Sequence, residues 1–79
     1  MKYVYILRSE VDPSQRYVGM TENLRRRLEE HNRGAVAHTS RFAPWRVETY
    51  VAFSDEGRAN RFEKYLKTGS GMAFSRKRL

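Results

Sequence analysis

Residues 3–31 read YVYILRSEVDPSQRYVGMTENLRRRLEEH and contain the clearest secondary-structure pattern of the sequence. Residues 3–7 are apolar, β-branched and aromatic, and residues 15–20 carry a further aromatic and β-branched pair, so both are predicted to be strands. Asp12 and Pro13 lie between them and favour a turn, because aspartate opens turns and proline fixes φ. The two strands are therefore predicted to pair as a β-hairpin.

A helix is predicted to follow the hairpin at once, over residues 22–33. Thr21 is the expected N-cap, since its hydroxyl can accept a hydrogen bond from the first turn. Glu22 suits the positive end of the helix dipole, and Gly34 suits the position just after the helix, where left-handed backbone is common.

Two polar side chains are expected on the inner side of this helix. At about 100° per residue, His31 falls about 20° and Arg27 about 60° from Leu24 around the helix axis. Both are therefore predicted to lean toward the sheet. Glu29 and Glu30 point elsewhere and are expected to belong to a solvated face.

The second half of the chain is predicted to begin with a loop and a third strand. Residues 34–46 show no sustained period and are expected to be a loop, with Trp45 as a core or lid aromatic. Residues 47–53 alternate, which predicts a strand with four side chains on one face: Val47, Thr49, Val51 and Phe53.

A second helix is predicted after this strand. Ser54 is its expected N-cap, and residues 69–71 are predicted to end it. Its apolar stripe consists of Ala59, Phe62 and Leu66. The tail, residues 72–79, is expected to form one short helical turn. The predicted fold class is α+β, a three-stranded antiparallel sheet flanked by helices, in a single domain over residues 1–79.

The charge of the chain points to nucleic acid as a partner. Sixteen Lys and Arg residues against nine Asp and Glu give a formal net charge of +7 and a sequence pI near 10.3. A membrane partner is not expected, because Arg8 interrupts the first apolar run and no stretch pairs a broad apolar face with a basic one. Cysteine is absent, so neither disulfides nor thiolate metal sites can form, and a reduced, cytoplasmic protein is expected.

The candidate functional side chains also have purely structural interpretations. Tyr3 and Tyr5 share one face of the first strand because side chains alternate. Glu63 lies about 40° from Ala59 around the second helix, at the edge of the apolar stripe. Glu63 can equally be a surface glutamate paired with Lys67 at i+4. Tyr5, Tyr17 and His31 can likewise be ordinary core residues.

The ordered motifs resemble those of the GIY-YIG nuclease superfamily. Its two signature tripeptides correspond to Tyr3-Val4-Tyr5 and Tyr17-Val18-Gly19. Its arginine and histidine positions resemble Arg27 and His31. The segment around Glu63 is similar to the one that bears the family's metal-binding glutamate. Within the superfamily, the chain resembles small stand-alone bacterial members, akin to the nuclease domain of the bacterial excinuclease.

The resemblance implies metal-dependent hydrolysis of DNA phosphodiester bonds in repair or recombination. Glu63 would hold one Mg²⁺ or Mn²⁺, and Arg27 would clamp the scissile phosphate. Tyr5 would take a proton from the attacking water, with Tyr17 orienting it and His31 accepting or relaying the proton. This role requires the pKa of Tyr5 to be lowered, since a free phenol titrates at about 10.

The chain departs from the family pattern in two ways. Tyr3 stands where the signature has glycine, and valine replaces isoleucine in both tripeptides. No asparagine follows Asn60, although many members carry one beyond the glutamate. Whether Lys67 or Ser70 substitutes for it stays open.

A set of cations is expected to contact the nucleic-acid backbone: Arg27, Lys64, Lys67, Arg76, Lys77 and Arg78. DNA is the expected substrate, with RNA not excluded, and a chain of this size has little surface for reading bases. A preference for ends, flaps or branches is therefore expected, and a protein partner could supply further specificity. The rival interpretation is a non-catalytic nucleic-acid-binding module on the same fold. A protein-interaction domain with an anionic partner is a third.

Overall fold

The computed structural model describes residues 1–79 and contains the predicted hairpin. β1 (Lys2–Ser9) and β2 (Arg16–Thr21) pair in antiparallel register. β3 (Trp45–Phe53) pairs antiparallel with the other side of β1, so β1 is the central strand of the order β2-β1-β3. Three helices accompany this sheet, which confirms the predicted α+β class.

Two helices cover opposite faces of the sheet. Because β1 is central and its side chains alternate, it contributes to the core on both faces. The face under α1 (Leu24–Asn32) has a buried core of Tyr5, Leu7 and Trp45. The face under α2 (Glu56–Leu66) has a buried core of Val4, Ile6, Val18, Ala59 and Leu66. Burial of each large apolar side chain contributes roughly 1.5–3 kcal/mol.

α1 begins later than predicted, and its N-cap is Asn23 rather than Thr21. The Asn23 side chain accepts a hydrogen bond from Arg26 N at 3.0 Å. Thr21 Oγ1 instead accepts from Asn23 N at 3.1 Å, which forms a turn ahead of the helix. The other end is as predicted: Gly34 follows the helix with a φ of 79°, a left-handed conformation that favours glycine.

β3 contains a β-bulge that simple alternation does not predict. Thr49 lies opposite Ile6, whereas Val47 lies opposite Leu7, so β3 has one extra residue at this point. An extra residue reverses the face on which the following side chains lie. Val47 therefore packs with the core under α1, whereas Phe53 packs with the core under α2. The prediction that these two share one face is wrong.

Trp45 belongs to the core and starts β3, which begins earlier than predicted. The indole is 3% exposed, and its Nε1 donates a hydrogen bond to the carbonyl oxygen of Thr39 at 2.8 Å. The Asn32 side chain accepts from Trp45 N and donates to Trp45 O. The loop between α1 and β3 contains one 3₁₀ turn, Ser40–Phe42, and these bonds hold it against the sheet.

The structure corrects both predicted ends of the second helix. Asp55, not Ser54, is its N-cap, because the Asp55 carboxylate accepts from the amide of the second helical residue at 3.1 Å. Residues 69–71 do not end α2 but open a third helix, α3 (Gly69–Arg78), where one short turn was predicted. Thr68 is the N-cap of α3. None of the helices has both the length and the apolar character that a membrane span needs.

Candidate active site

The phenol of Tyr5 is the centre of the candidate site. Tyr5 lies on β1 with 1% of its surface exposed, and its ring extends over Gly19 of β2. A Cβ atom at Gly19 would meet the Tyr5 hydroxyl and lie 2.6 Å from Cζ, so only glycine leaves room for this orientation. Gly19 thereby determines where the phenol lies.

His31 connects Tyr5 to the loop after α1. The Tyr5 hydroxyl lies 3.1 Å from His31 Nε2, and His31 Nδ1 lies 2.7 Å from Thr39 Oγ1. The imidazole is completely buried, and both of its nitrogens have a protein partner. Tyr17 packs against it with the two ring centroids 4.9 Å apart. The structure therefore brings Tyr5, Tyr17 and His31 together.

Arg27 is the half-exposed member of this group, with 35% of its side chain accessible. Its Nη1 donates to Glu30 Oε1 at 2.9 Å. The Glu30 carboxylate, and then the Tyr5 phenol, raise the pKa of Arg27 above its ordinary value. The prediction that Glu30 belongs to a solvated face is therefore wrong. Glu30 holds the guanidinium beside Tyr5 from one helical turn away.

The pKa of Tyr5 is raised in this structure, whereas the predicted role required it to be lowered. Burial is the main cause, the adjacent Arg27 opposes it, and the charges of Tyr17 and Glu63 add to the increase. The prediction fails because Arg27 does not offset the desolvation of a buried phenolate. Burial, and then the charge of Arg27, lower the pKa of His31. Tyr5 and His31 are thus a neutral pair at neutral pH.

Glu63 lies on α2, which packs on the face of the sheet opposite to α1. Its side chain is 19% exposed, and its Oε2 forms an ion pair with Lys67 Nζ at 3.0 Å. This is the surface pairing that the sequence also allowed. The charge of Glu63 nevertheless raises the pKa of Tyr5, so the carboxylate lies within electrostatic reach of the phenol. No ion pair or hydrogen bond joins Glu63 to Arg27.

Two carboxylates are candidates for holding a metal ion: Glu30, which is paired with Arg27, and Glu63, which is paired with Lys67. No group of three or more His, Asp or Glu side chains converges in the chain in a way that could hold a metal ion. This donor set fits Mg²⁺ or Mn²⁺ held by Glu63. Such cations prefer oxygen ligands, keep several waters, and bind through one or two carboxylates together with substrate phosphates.

The remaining predicted cations lie on α2, at its C-terminal cap and on α3, and all are exposed: Lys64, Lys67, Arg76, Lys77 and Arg78. Those of α3 form no hydrogen bond or ion pair with the residues around Tyr5. An unpredicted arginine anchors this helix, because Arg16 of β2 donates to Ser75 Oγ at 2.8 Å. Burial is the main cause that lowers the pKa of Arg16. The tail is therefore held against the edge strand rather than loose.

Two residues of the site were not predicted, Glu30 and Thr39. Glu30 lies at i+3 from Arg27, a spacing at which opposite charges pair, so the sequence contained a usable signal. Thr39 lies in a loop without regular period, and only the tertiary structure brings its hydroxyl to His31. No sequence pattern indicates that contact.

Gly19→Ala is expected to lower the free energy of unfolding by about 1–2 kcal/mol, because the new methyl group and the Tyr5 ring would occupy the same space. The ring would have to move away from His31, so the imidazole signals should change in an NMR spectrum. Gly57→Ala is the matched control, since a Cβ there has contacts no shorter than 3.6 Å. Equal urea midpoints for the two variants would contradict the placement of the phenol over β2.

Similar proteins are known. A family model described as the GIY-YIG catalytic domain matches residues 1–76. A structure-specific endonuclease subunit SLX1 homolog of Giardia intestinalis is 38% identical in an alignment 65 residues long, and the alignment covers 77% of this chain and 18% of the relative. The structure-specific endonuclease subunit SLX1 of Podospora anserina is 37% identical in an alignment 90 residues long, and the alignment covers 95% of this chain and 26% of the relative. No solved structure matches the chain.

The chain spans only 18% and 26% of the length of these two relatives. Both relatives come from eukaryotes, so the predicted similarity to bacterial members is not supported. Both names describe a subunit of a structure-specific endonuclease.

Proposed function

The chain belongs to the GIY-YIG family, and on this premise we propose that it is a divalent-metal-dependent endonuclease domain that hydrolyses DNA phosphodiester bonds. The proposal rests on the groups that surround the Tyr5 phenol. His31 hydrogen-bonds to Tyr5, and the charges of Arg27 and Glu63 both act on it. A binding module without catalysis would need only cations, not a histidine, a buried phenol and a carboxylate around one point.

Arg27 would bind the scissile phosphate. Its raised pKa keeps it charged, and Glu30 engages only one of its nitrogens. A guanidinium has five N–H donors in a planar fork, so the remaining donors can contact two phosphate oxygens at once. Glu30 would fix the orientation of this fork before DNA arrives.

Tyr5 would accept a proton from the attacking water. The raised pKa disfavours a phenolate before the reaction, so Tyr5 would give its own proton to His31 Nε2 as it takes one from the water. A bond would form between the water oxygen and phosphorus as the bond from phosphorus to the leaving oxygen breaks, and the leaving oxygen would take a proton from solvent water. Since Tyr5 is 1% exposed, the water would approach from the side of the half-exposed Arg27.

Glu63 would hold Mg²⁺ or Mn²⁺. When bound, the ion would supply positive charge that stabilises the charge developing on the phosphate oxygens. In this structure the ammonium group of Lys67 forms an ion pair with the Glu63 carboxylate. The ammonium group would have to move away before the carboxylate could hold a metal ion. With one protein carboxylate, affinity for the ion would depend on phosphate oxygens as further ligands.

Branched or interrupted DNA in repair or recombination is the proposed substrate. The two relatives are named as subunits of structure-specific endonucleases, and a formal net charge of +7 favours a polyanion. The word subunit in both names supports a protein partner that contributes specificity.

The test is a cleavage assay with the purified chain on labelled flap, branched and linear DNA. Each substrate is incubated with Mg²⁺, with Mn²⁺ and with EDTA. We expect cleavage with either metal, faster on the flap and branched substrates than on the linear duplex, and none with EDTA. Binding without cleavage under every metal condition would support the non-catalytic module instead.

A further inference from the structure

Thr39 is the buried end of a hydrogen-bonded chain that begins at the Tyr5 hydroxyl. The Tyr5 hydroxyl contacts His31 Nε2 at 3.1 Å, and His31 Nδ1 contacts Thr39 Oγ1 at 2.7 Å. Thr39 Oγ1 donates to the carbonyl oxygen of Val36 at 3.3 Å. Thr39 and His31 are at most 1% exposed, so water does not compete for these contacts. The directions of these hydrogen bonds indicate which nitrogen of the His31 imidazole carries the proton.

The decisive contact is the one between Thr39 and Val36. A hydroxyl has one hydrogen, and a carbonyl oxygen can only accept. If Thr39 donates to Val36, then Oγ1 can only accept from His31, so Nδ1 must carry a proton. A neutral imidazole then has no proton on Nε2, which must accept from the Tyr5 hydroxyl. The opposite tautomer would leave Thr39 Oγ1 and the Val36 carbonyl oxygen 3.3 Å apart with no hydrogen between them, although that carbonyl would still accept from the amides of Thr39 and Ser40.

The backbone of Thr39 is fixed independently of its hydroxyl. Its carbonyl oxygen accepts from Trp45 Nε1 at 2.8 Å, and its amide donates to the carbonyl of Val36 at 3.2 Å. The loop therefore presents Oγ1 to His31 from a rigid position. A substitution that removes only the hydroxyl should leave these backbone contacts in place.

We propose that Thr39 is a positioning residue that holds His31 in the tautomer protonated at Nδ1, so that Nε2 receives the hydrogen of the Tyr5 hydroxyl. The oxygen lone pairs of Tyr5 then point away from His31 and are free to accept a proton from water. In the other tautomer, His31 would donate to Tyr5 and occupy one of these lone pairs. This inference rests on the proposed function, in which Tyr5 accepts the proton.

The lowered pKa of His31 agrees with a neutral imidazole that accepts from Tyr5. Four charged or titratable groups face the pair: Arg27 and Glu30 from α1, Tyr17 from β2, and Glu63 from α2. None of them is hydrogen-bonded to an imidazole nitrogen. Besides Tyr5 itself, Thr39 is the side chain that is hydrogen-bonded to an imidazole nitrogen.

The experiment compares the full chain with its Thr39→Val and Thr39→Ser variants. Two-dimensional ¹H–¹⁵N spectra of the imidazole nitrogens report the tautomer directly, and the exposed His38 serves as an internal reference. We expect His31 to be protonated at Nδ1 in the wild-type protein and in Thr39→Ser, and to populate the other tautomer in Thr39→Val. Single-turnover cleavage should fall about 10- to 100-fold in Thr39→Val, as when other outer partners of active histidines are lost, with DNA affinity unchanged.

Rescue by serine distinguishes positioning from simple packing. A wild-type His31 protonated at Nε2 would overturn the inference even if no variant folded. Thr39→Val with an unchanged tautomer and cleavage rate would also overturn it. If the wild-type protein cleaves no substrate but valine still changes the tautomer, the hydrogen-bond assignment stands and the proposed function fails.

Discussion

Glu63→Gln is expected to lower single-turnover cleavage by at least about 100-fold and to leave DNA affinity nearly unchanged. The amide keeps the size of the side chain but loses the charge that would attract a divalent cation. Removing a negative charge near the DNA cannot weaken its attraction to a polyanion. Binding, measured with EDTA present, should therefore be the same or slightly tighter, while cleavage with Mg²⁺ or Mn²⁺ is lost.

Two further variants separate this effect from a general change in charge. Glu29→Gln removes a charge from an exposed glutamate that forms no ion pair, so its cleavage rate should equal that of the wild-type protein. Lys77→Ala with Arg78→Ala should weaken DNA affinity and flatten its dependence on salt, because each lost phosphate contact lowers the slope of log K against log salt by roughly 0.9. The rate of metal-dependent cleavage by bound protein should be unchanged in this double variant. Equal cleavage by the wild-type protein and Glu63→Gln would mean that Glu63 is only the surface partner of Lys67.

Local patterns predict the parts of the fold that are set by local chemistry. Alternating side chains place Tyr5 on one face of the first strand, and the helical period places His31 inward, and the structure confirms both. The β-bulge in β3, opposite Leu7, could not be predicted in this way. One extra residue in the strand changes the face on which the later side chains lie, but the apolar residues of the sequence still alternate. The N-caps Asn23 and Asp55 were misplaced because nearby polar residues, Thr21 and Ser54, are also residue types that favour this position.

The site divides in the same way. Arg27 and His31 follow from spacing on one helix, and Glu30 could have been predicted from the same spacing. Thr39 could not, since its contact with His31 depends on how a loop without period folds back over the helix. The sequence also could not predict whether the pKa of Tyr5 is raised or lowered from its ordinary value. The direction depends on how completely the phenol is buried, which local sequence does not report.

α3 is the element that sequence patterns predict least well. Its apolar residues follow no helical stripe, and its first turn contains Gly69 and Gly71, which are poor helix formers. The helix is stabilised by tertiary contacts instead. The ring of Phe74 packs 6.5 Å from that of Phe62 and 5.9 Å from that of Tyr65.

Gly71→Ala is expected to cause the largest loss of stability, about 3 kcal/mol, because α3 begins where it touches the backbone of α2. A Cβ atom at Gly71 would meet the carbonyl oxygen of Tyr65 and lie 2.8 Å from Leu66 Cα. Backbone atoms at the end of a helix cannot turn aside as a flexible side chain can, so α3 would have to shift away from α2. For a domain of this size, the melting temperature should fall by roughly 12–24 °C.

Gly69→Ala is the control within the same helical turn. A Cβ atom there meets nothing within 4 Å, so the free energy of unfolding should change by no more than about 0.5 kcal/mol. Both variants would be measured by urea denaturation followed by circular dichroism. If the two alanines lowered stability equally, the cost would lie in the loss of glycine itself and not in the contact with Tyr65. A large effect confined to Gly71 would mean that close backbone packing, which no apolar pattern encodes, is what makes the tail a helix.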